Sequence, residues 1–332
     1  MATHTPVLMT PLLELLRPQP GEVYLDATAG LGGHAAAMAE RVGPTGKVIL
    51  CDLDAGNLSC AAERVRALPR APTVFTLHTS FVQIPRLLAE HHPEVRVDML
   101  LADLGFASNQ MADAQRGFSF MHDGPLDMRL DQTGPITAAE LVNTLPEEEL
   151  AAIFRDLGEE PPGVARGIAR KLVSARAVGP IETTSRFAAI VRSAVPAASY
   201  RGIDPATRSF QALRITVNDE LGNLTGFLAA IERAAAAAVK GIGAQGGKMG
   251  GVGGVGGVGG VGGWVRPNAR IGIISFHSLE DRPVKQSFNK LVEERHIATH
   301  LTRKAVQADD GERAENPRSR SAKLRVIRLG AG

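Results

Sequence analysis

The chain has 332 residues, 44 % of them apolar, 22 % charged and only 4 % aromatic, with a formal net charge of +2. This is the composition of a soluble globular protein of one large or two ordinary domains, whose core must rest on Leu, Val, Ile and Ala. Its two cysteines, Cys51 and Cys60, form no CxxC or Cys/His pattern, and the adjacent His91 and His92 have no third ligand nearby, so neither a disulfide framework nor a metal site is expected.

The N-terminal "MATHTPVLMTPLLELL" lacks a basic region followed by a long apolar one. No run approaches the about 18 apolar residues of a membrane helix, so a cytoplasmic protein with no membrane contact is expected. The small net charge hides an asymmetry. Residues 1–150 carry 10 Lys+Arg against 19 Asp+Glu, and residues 151–332 carry 27 against 16, so the second half is the one expected to face a polyanion.

In chain order, "VYLDATAG" (23–30) reads as a buried strand running into glycines, "GHAAAMAERV" (33–42) as a helix and "KVILCDLD" (47–54) as a second strand. A helix over 55–68, a strand over 73–81, a helix over 84–92 and a strand over 97–105 follow. The βα alternation predicts a parallel, doubly wound sheet with helices on both faces. Residues 106–134 break the pattern and, being rich in Phe and Met, read as a long loop packed on the core. Residues 136–203 read as helical, and 206–240 as one long helical stretch. "RIGIISFH" (270–277), a helix and "AKLRVIRL" (322–329) resume the sheet. The expected organisation is therefore a discontinuous core, 1–134 and 206–332, with a helical insertion over 135–205 and a flexible glycine-rich loop over 241–263.

The strongest local site is "LDATAGLGGH" (25–34), a strand ending at Asp26 and glycines leading into a helix, where the backbone can approach a ligand and the helix N-terminus offers N–H groups. Asp52, twenty residues after Gly32 at the end of the second strand, suits a ribose diol. The glycine pattern is GxGG followed by His34 rather than GxGxxG, which favours S-adenosylmethionine over a dinucleotide. In "LLADLGFASNQ" (100–110), Asp103, Gly105 and Gln110 place acceptors and an amide beside that cofactor where the fourth strand ends, and Asp103 is the candidate for holding the hydrogens of an acceptor amine.

These segments, with "HTPVLMTPLLELL", "RGFSFMHDGPLDMR", "ATRSFQALRITVNDEL", "ISFHSLEDR" and "ENPRSRSAKLR", resemble the MraW/RsmH family of cytosine-N4 methyltransferases of small-subunit (16S) ribosomal RNA, in the family's order from His4 to about Arg328. The resemblance implies a class I S-adenosylmethionine-dependent methyltransferase core interrupted by a helical RNA-recognition domain. It further implies that Gly32, Gly33 and His34 face the methionine end of the cofactor, Asp52 the ribose and Phe81 the adenine, with Asp103 and Gln110 near the sulfonium and the acceptor. The 16S RNA of an assembled small subunit is the implied partner. Asp127 and Arg129 are expected in the wall of the acceptor pocket, and His277 either touches the flipped base or caps its loop. Arg166, Arg170, Lys171 and Arg176 are read as cations along one helix face that contact phosphates. Where the family reads "DLGVSSPQ" this chain has "DLGFASNQ", which leaves the shape of that turn open. A nicotinamide-dependent dehydrogenase and a non-catalytic RNA-binding protein retaining the fold are the alternatives, and homodimerisation stays open.

Overall fold

The computed structural model describes residues 6–195, 202, 204–245 and 263–330. The chain divides into two compact units, one of residues 1–105 and 222–332 and one of residues 106–221.

The first unit is built on a sheet of β1 (Val23–Asp26), β2 (Lys47–Asp52), β3 (Thr73–His78), β4 (Val97–Asp103), β5 (Val265–Ser275), β6 (Ala298–His300) and β7 (Lys323–Leu329), in the order β3-β2-β1-β4-β5-β7-β6. The first five strands are parallel, as expected. β7 runs antiparallel to both β5 and β6, which corrects the all-parallel reading. The two-residue period of the strands sorts their side chains to opposite faces. Leu25, Ile49, Leu100 and Ile273 enter one apolar cluster, with Leu224, Phe227 and Ile231 of α11 (Glu220–Gln245) and Val284 and Phe288 of α12 (Ser278–Asn289). Tyr24, Val48, Leu50, Met99 and Leu101 enter the other, with Leu12 and Leu16 of α1 (Met9–Leu16), Met38 and Val42 of α2 (Gly33–Val42) and Ala61 and Val65 of α3 (Ala55–Arg66). Near-continuous apolar strands are required because both faces are covered. α4 (Ile84–His91) carries Pro85 in its first turn, where its missing N–H costs nothing.

The second unit holds the short α5 (Ser108–Ala112), then α6 (Ala138–Thr144), α7 (Glu147–Asp156), α8 (Pro162–Arg176), α9 (Thr184–Ala194) and α10 (Ala206–Val217). Its own core contains Phe118, Leu126, Phe154, Ile168, Leu172, Phe187, Phe210 and Leu213. This explains why the unit extends beyond 135–205 at both ends: the Phe/Met-rich stretch and the helix after 205 supply part of one packed cluster. The continuous helix expected over 206–240 is broken, because Asp219 takes a left-handed conformation (φ 46°) between α10 and α11. The unit boundary falls two residues later. The glycine-rich tract at 246–262 lies outside the described residues; 241–245, expected to belong to it, end α11.

Phe187, fully buried against Phe154 and Phe210, tests whether the helical unit has a stability of its own. Phe187→Ala is expected to cost about 3–5 kcal/mol there. Hydrogen exchange should show protection falling across 106–221 and held in β1–β5.

Candidate cofactor and methyl-transfer site

Three neighbouring strands of the first unit, β2, β1 and β4, each end in an aspartate: Asp52, Asp26 and Asp103. Ligands of parallel α/β sheets lie at these carboxyl ends.

Asp26 is buried. Its Oδ2 accepts the Tyr24 hydroxyl at 3.0 Å and its Oδ1 the Thr28 N–H at 3.2 Å, while burial pushes its carboxyl up to about 6. Asp52 Oδ2 accepts the Gly30 N–H at 2.7 Å and Oδ1 the Asp54 N–H at 2.8 Å, so the carboxylate is held rigidly at the mouth of the glycine turn. Burial pushes it, too, up to about 6. Each carboxylate oxygen retains a second lone pair, which is what two ribose hydroxyls require. Asp103 differs from both. Its backbone N–H donates to Thr28 Oγ1 at 2.6 Å, and its side chain keeps 27 % exposure, yet Oδ1 is sealed from solvent and has no hydrogen-bond partner. Packing around the carboxyl pushes it up to about 7, against the pull of the Arg318 guanidinium and with a smaller push from Glu280.

The turn that faces these carboxylates is set by glycines. Gly32 caps α2 with φ 75°, and a Cβ there would lie 2.7 Å from the Ala61 Cα of α3. A Cβ on Gly33 would lie 2.4 Å from Pro6 Cγ. His34 follows in the first turn of α2, buried, with Nε2 2.9 Å from the Val7 carbonyl and Nδ1 3.6 Å from Asp103 Oδ2. Phe81 opens a 3-10 turn three residues after β3 and packs its ring on Phe227 at 5.2 Å. His277 caps α12 just beyond the end of β5, with Nε2 3.2 Å from Glu280 Oε1, while Glu280 Oε2 accepts the Phe276 N–H at 2.8 Å. Its backbone holds the cap position, and its side chain makes no capping hydrogen bond to α12, so both readings of His277 stay open.

Gly32, Gly33, His34, Asp52, Phe81, Asp103 and His277 thus belong to one unit. The remaining sequence-predicted residues belong to the helical unit, where several have local work. Gln110 is buried and its Oε1 accepts the Ala107 N–H at 2.8 Å, closing the start of α5. Arg129 grips Asp127 through two bonds of 2.9 and 2.7 Å and donates to the Gly134 carbonyl at 2.7 Å, so the pair ties its own loop. Arg176 donates to the carbonyls of Val142 and Leu145, whereas Arg166, Arg170 and Lys171 are exposed on α8. The helical unit carries 12 Lys+Arg against 15 Asp+Glu, so the basic excess expected for the second half of the chain lies in residues 222–332, with 17 against 9. Within the helical unit Arg155, Arg192, Arg208 and Arg214 pair with Asp156, Asp204, Glu160 and Glu220. Sequence reasoning missed Thr28 and Arg318 at Asp103; the "ENPRSRSAKLR" block was the available signal for Arg318.

A seven-stranded sheet in this order, with an antiparallel β7 and a row of aspartates at the strand ends, defines a class I methyltransferase, whose methyl donor is S-adenosylmethionine. The MraW methylase family model matches residues 1–241 and 261–329, and the chain belongs to that family. It is 39 % identical to the ribosomal RNA small subunit methyltransferase H of Symbiobacterium thermophilum over 99 % of this chain and 98 % of that one. It is 41 % identical to the protein of the same name from Syntrophotalea carbinolica, over 98 % and 97 %, and 40 % identical to that of Geobacter sulfurreducens, over 98 % of each. The donor's chemistry fits the residues present: the orphaned Asp103 Oδ1 suits a sulfonium cation, whose charge favours the carboxylate, and the restrained Asp52 suits a ribose.

Two outcomes follow from this geometry. Gly32→Ala is expected to lose cofactor affinity at least 10-fold in calorimetric titration and to cost on the order of 1–3 kcal/mol, because a left-handed φ and a backbone clash with α3 coincide. Asp103 holds its proton more tightly folded (about 7) than unfolded (3.8), so it contributes stability below the unfolded value that is lost as pH rises toward 7. Asp103→Asn should therefore match the parent in thermal unfolding near pH 4 and exceed it near pH 8, by up to a few kcal/mol.

Proposed function

We propose that this chain methylates the exocyclic N4 amine of a cytidine in the decoding region of small-subunit (16S) ribosomal RNA. The family and the names of its relatives support the substrate class, and the single observation that carries the chemistry is the unpartnered, buried Oδ1 of Asp103.

S-adenosylmethionine supplies an electrophilic methyl group at a cationic sulfur. What remains for the protein is to orient an amine whose lone pair is delocalised into the cytosine ring. A carboxylate oxygen with no other partner accepts an amine N–H, holds the nitrogen in line, favours its pyramidalisation and takes its excess proton. A carboxyl poised near 7 suits that task better than one near 4, since it binds the released proton at neutral pH. Gly32, Gly33 and His34 would border the methionine end of the donor, Asp52 its ribose and Phe81 its adenine. Asp127 and Arg129 shape their own loop, and Gln110 the start of α5. The base must leave its stack to reach the site, and exposed cations such as Arg166 and Arg170 would hold the flanking phosphates.

The test is incubation of the purified protein with labelled S-adenosylmethionine and small subunits from a strain lacking the modification, followed by nucleoside mass spectrometry. Label in N4-methylcytidine is expected, reduced at least 100-fold by Asp103→Ala. Label in another nucleoside overturns the N4 assignment, and cofactor and RNA binding without label would make the chain a non-catalytic RNA-binding protein.

A further inference from the structure

Acceptance of a proton by Asp103 leaves open where that proton rests before it reaches solvent, and His34 occupies the relevant position. A backbone carbonyl only accepts hydrogen bonds, so the 2.9 Å contact of His34 Nε2 with the Val7 oxygen places a hydrogen on Nε2. The neutral ring then carries its lone pair on Nδ1, the atom that lies 3.6 Å from Asp103 Oδ2. The tautomer is fixed by a contact on the far side of the ring, and the basic atom faces the carboxyl. Asp103 Oδ1, the oxygen without a partner, remains for the acceptor.

We infer that His34 and Asp103 form a proton-sharing dyad in which His34 Nδ1 receives from Asp103 the proton that the methylated amine gives up. This rests on the methyltransferase reading above. In the first step the cationic nitrogen's N–H bond breaks, its electron pair returns to nitrogen, and an O–H bond forms on Asp103. In the second that O–H bond breaks, an N–H bond forms on His34 Nδ1, and a carboxylate faces an imidazolium whose Nε2–H still rests on the Val7 carbonyl. No further reactant is needed, and Asp103 is restored for the next amine. The 3.6 Å separation must close by several tenths of an ångström, an adjustment common when a site fills.

Burial holds the proton on Asp103, and the neighbouring charges pull it toward His34. Asp26 from β1 and Glu312 from α13 (Asp310–Glu315) both favour an imidazolium at His34, while burial of the ring keeps it neutral at rest, lowering its affinity for a proton. Asp103 is faced in addition by Arg318, which favours the carboxylate, and by Glu280 of α12, which opposes it. Tyr24 donates to Asp26 and keeps that carboxylate from competing for the proton. Neutral imidazole beside the Asp103 carboxylate is thus the state that meets the amine, neutral imidazole beside the protonated carboxyl follows the first step, and carboxylate beside imidazolium is the state after transfer. Two groups this close titrate as a pair, in steps belonging to neither alone.

The test uses the full chain in two measurements. Nitrogen-15 histidine and carbon-13 aspartate spectra of the cofactor-free protein from pH 5 to 9 should show neutral His34 as the Nε2–H tautomer. His34 Nδ1 and the Asp103 carboxyl carbon should change over a common pH interval, and the His34 change in that interval should vanish in Asp103→Asn. An identical His34 titration in both proteins overturns the dyad. Single-turnover methyl transfer against pH is the second measurement. His34→Gln keeps an N–H for Val7 but takes no proton; its rate should fall about 10-fold or more, with the ascending limb moved to higher pH. A profile of unchanged shape, only scaled down, would assign His34 a packing role. If the parent chain transfers no methyl group to 16S RNA, the functional reading fails, and the spectra still decide the dyad.

Discussion

Everything at the functional end of this protein depends on holding a carboxylate where solvent cannot complete its hydrogen bonds. Leaving Asp103 Oδ1 unpartnered costs folding free energy, and a soft scaffold would relax to remove that cost. The sheet does not allow it. Asp103 is the last residue of a central strand whose preceding Met99, Leu100, Leu101 and Ala102 are fully buried, paired to β1 on one side and β5 on the other. The Thr28 hydroxyl fixes the Asp103 N–H from the adjacent β1 turn. Backbone on both sides therefore sets the position of the carboxyl, and the apolar layers on both faces keep the backbone there.

The same logic sorts the three strand-end aspartates. Asp26 is satisfied by a phenol and a backbone amide and serves as fixed negative charge behind the site. Asp52 is satisfied by two backbone amides, which aim it without neutralising it. Only Asp103 has an oxygen in reserve. Burial raises all three, so at neutral pH the row combines a fixed negative potential with one group near its own titration. A cationic donor relieves the potential that makes the row costly. The free protein is thus least content in the charge state that binds the donor best, a conflict of the kind that concentrates at active sites.

Much of this was legible in the sequence for a physical reason. Strands covered on both faces read as apolar runs, and helices between them read by period, so β1 to β5 and α2 to α4 fall within a few residues of expectation. What escaped was short or tertiary. β6 has three residues, too few for any pattern, and α1 lies in a stretch whose helix the sequence reading did not mark. The break at Asp219 is a single left-handed residue inside a helical composition. The positions of Asp103 and Asp52 at strand ends and of the glycines in the turn were legible because strand-end carboxylates and glycine turns have local signatures. Gln110, Asp127, Arg129 and Arg176 carry functional groups of the same kinds but spend them on their own loops and helix ends. No spacing rule separates a group that faces a ligand from one that caps a helix. Arg318 reaches Asp103 from more than 200 positions away in sequence, a pairing that only the fold discloses.

The charge asymmetry shows how position along a chain misleads about position in a fold. Split at residue 150, the second half is basic; split into the units that fold, the helical one is acidic by three charges and pairs Arg129, Arg155, Arg192, Arg208 and Arg214 with its own carboxylates. Attraction to a polyanion grows with the number of cations left free to displace counterions, and internally paired arginines displace few. The basic excess of the chain lies instead in the segment that also supplies β5, α12 and β7.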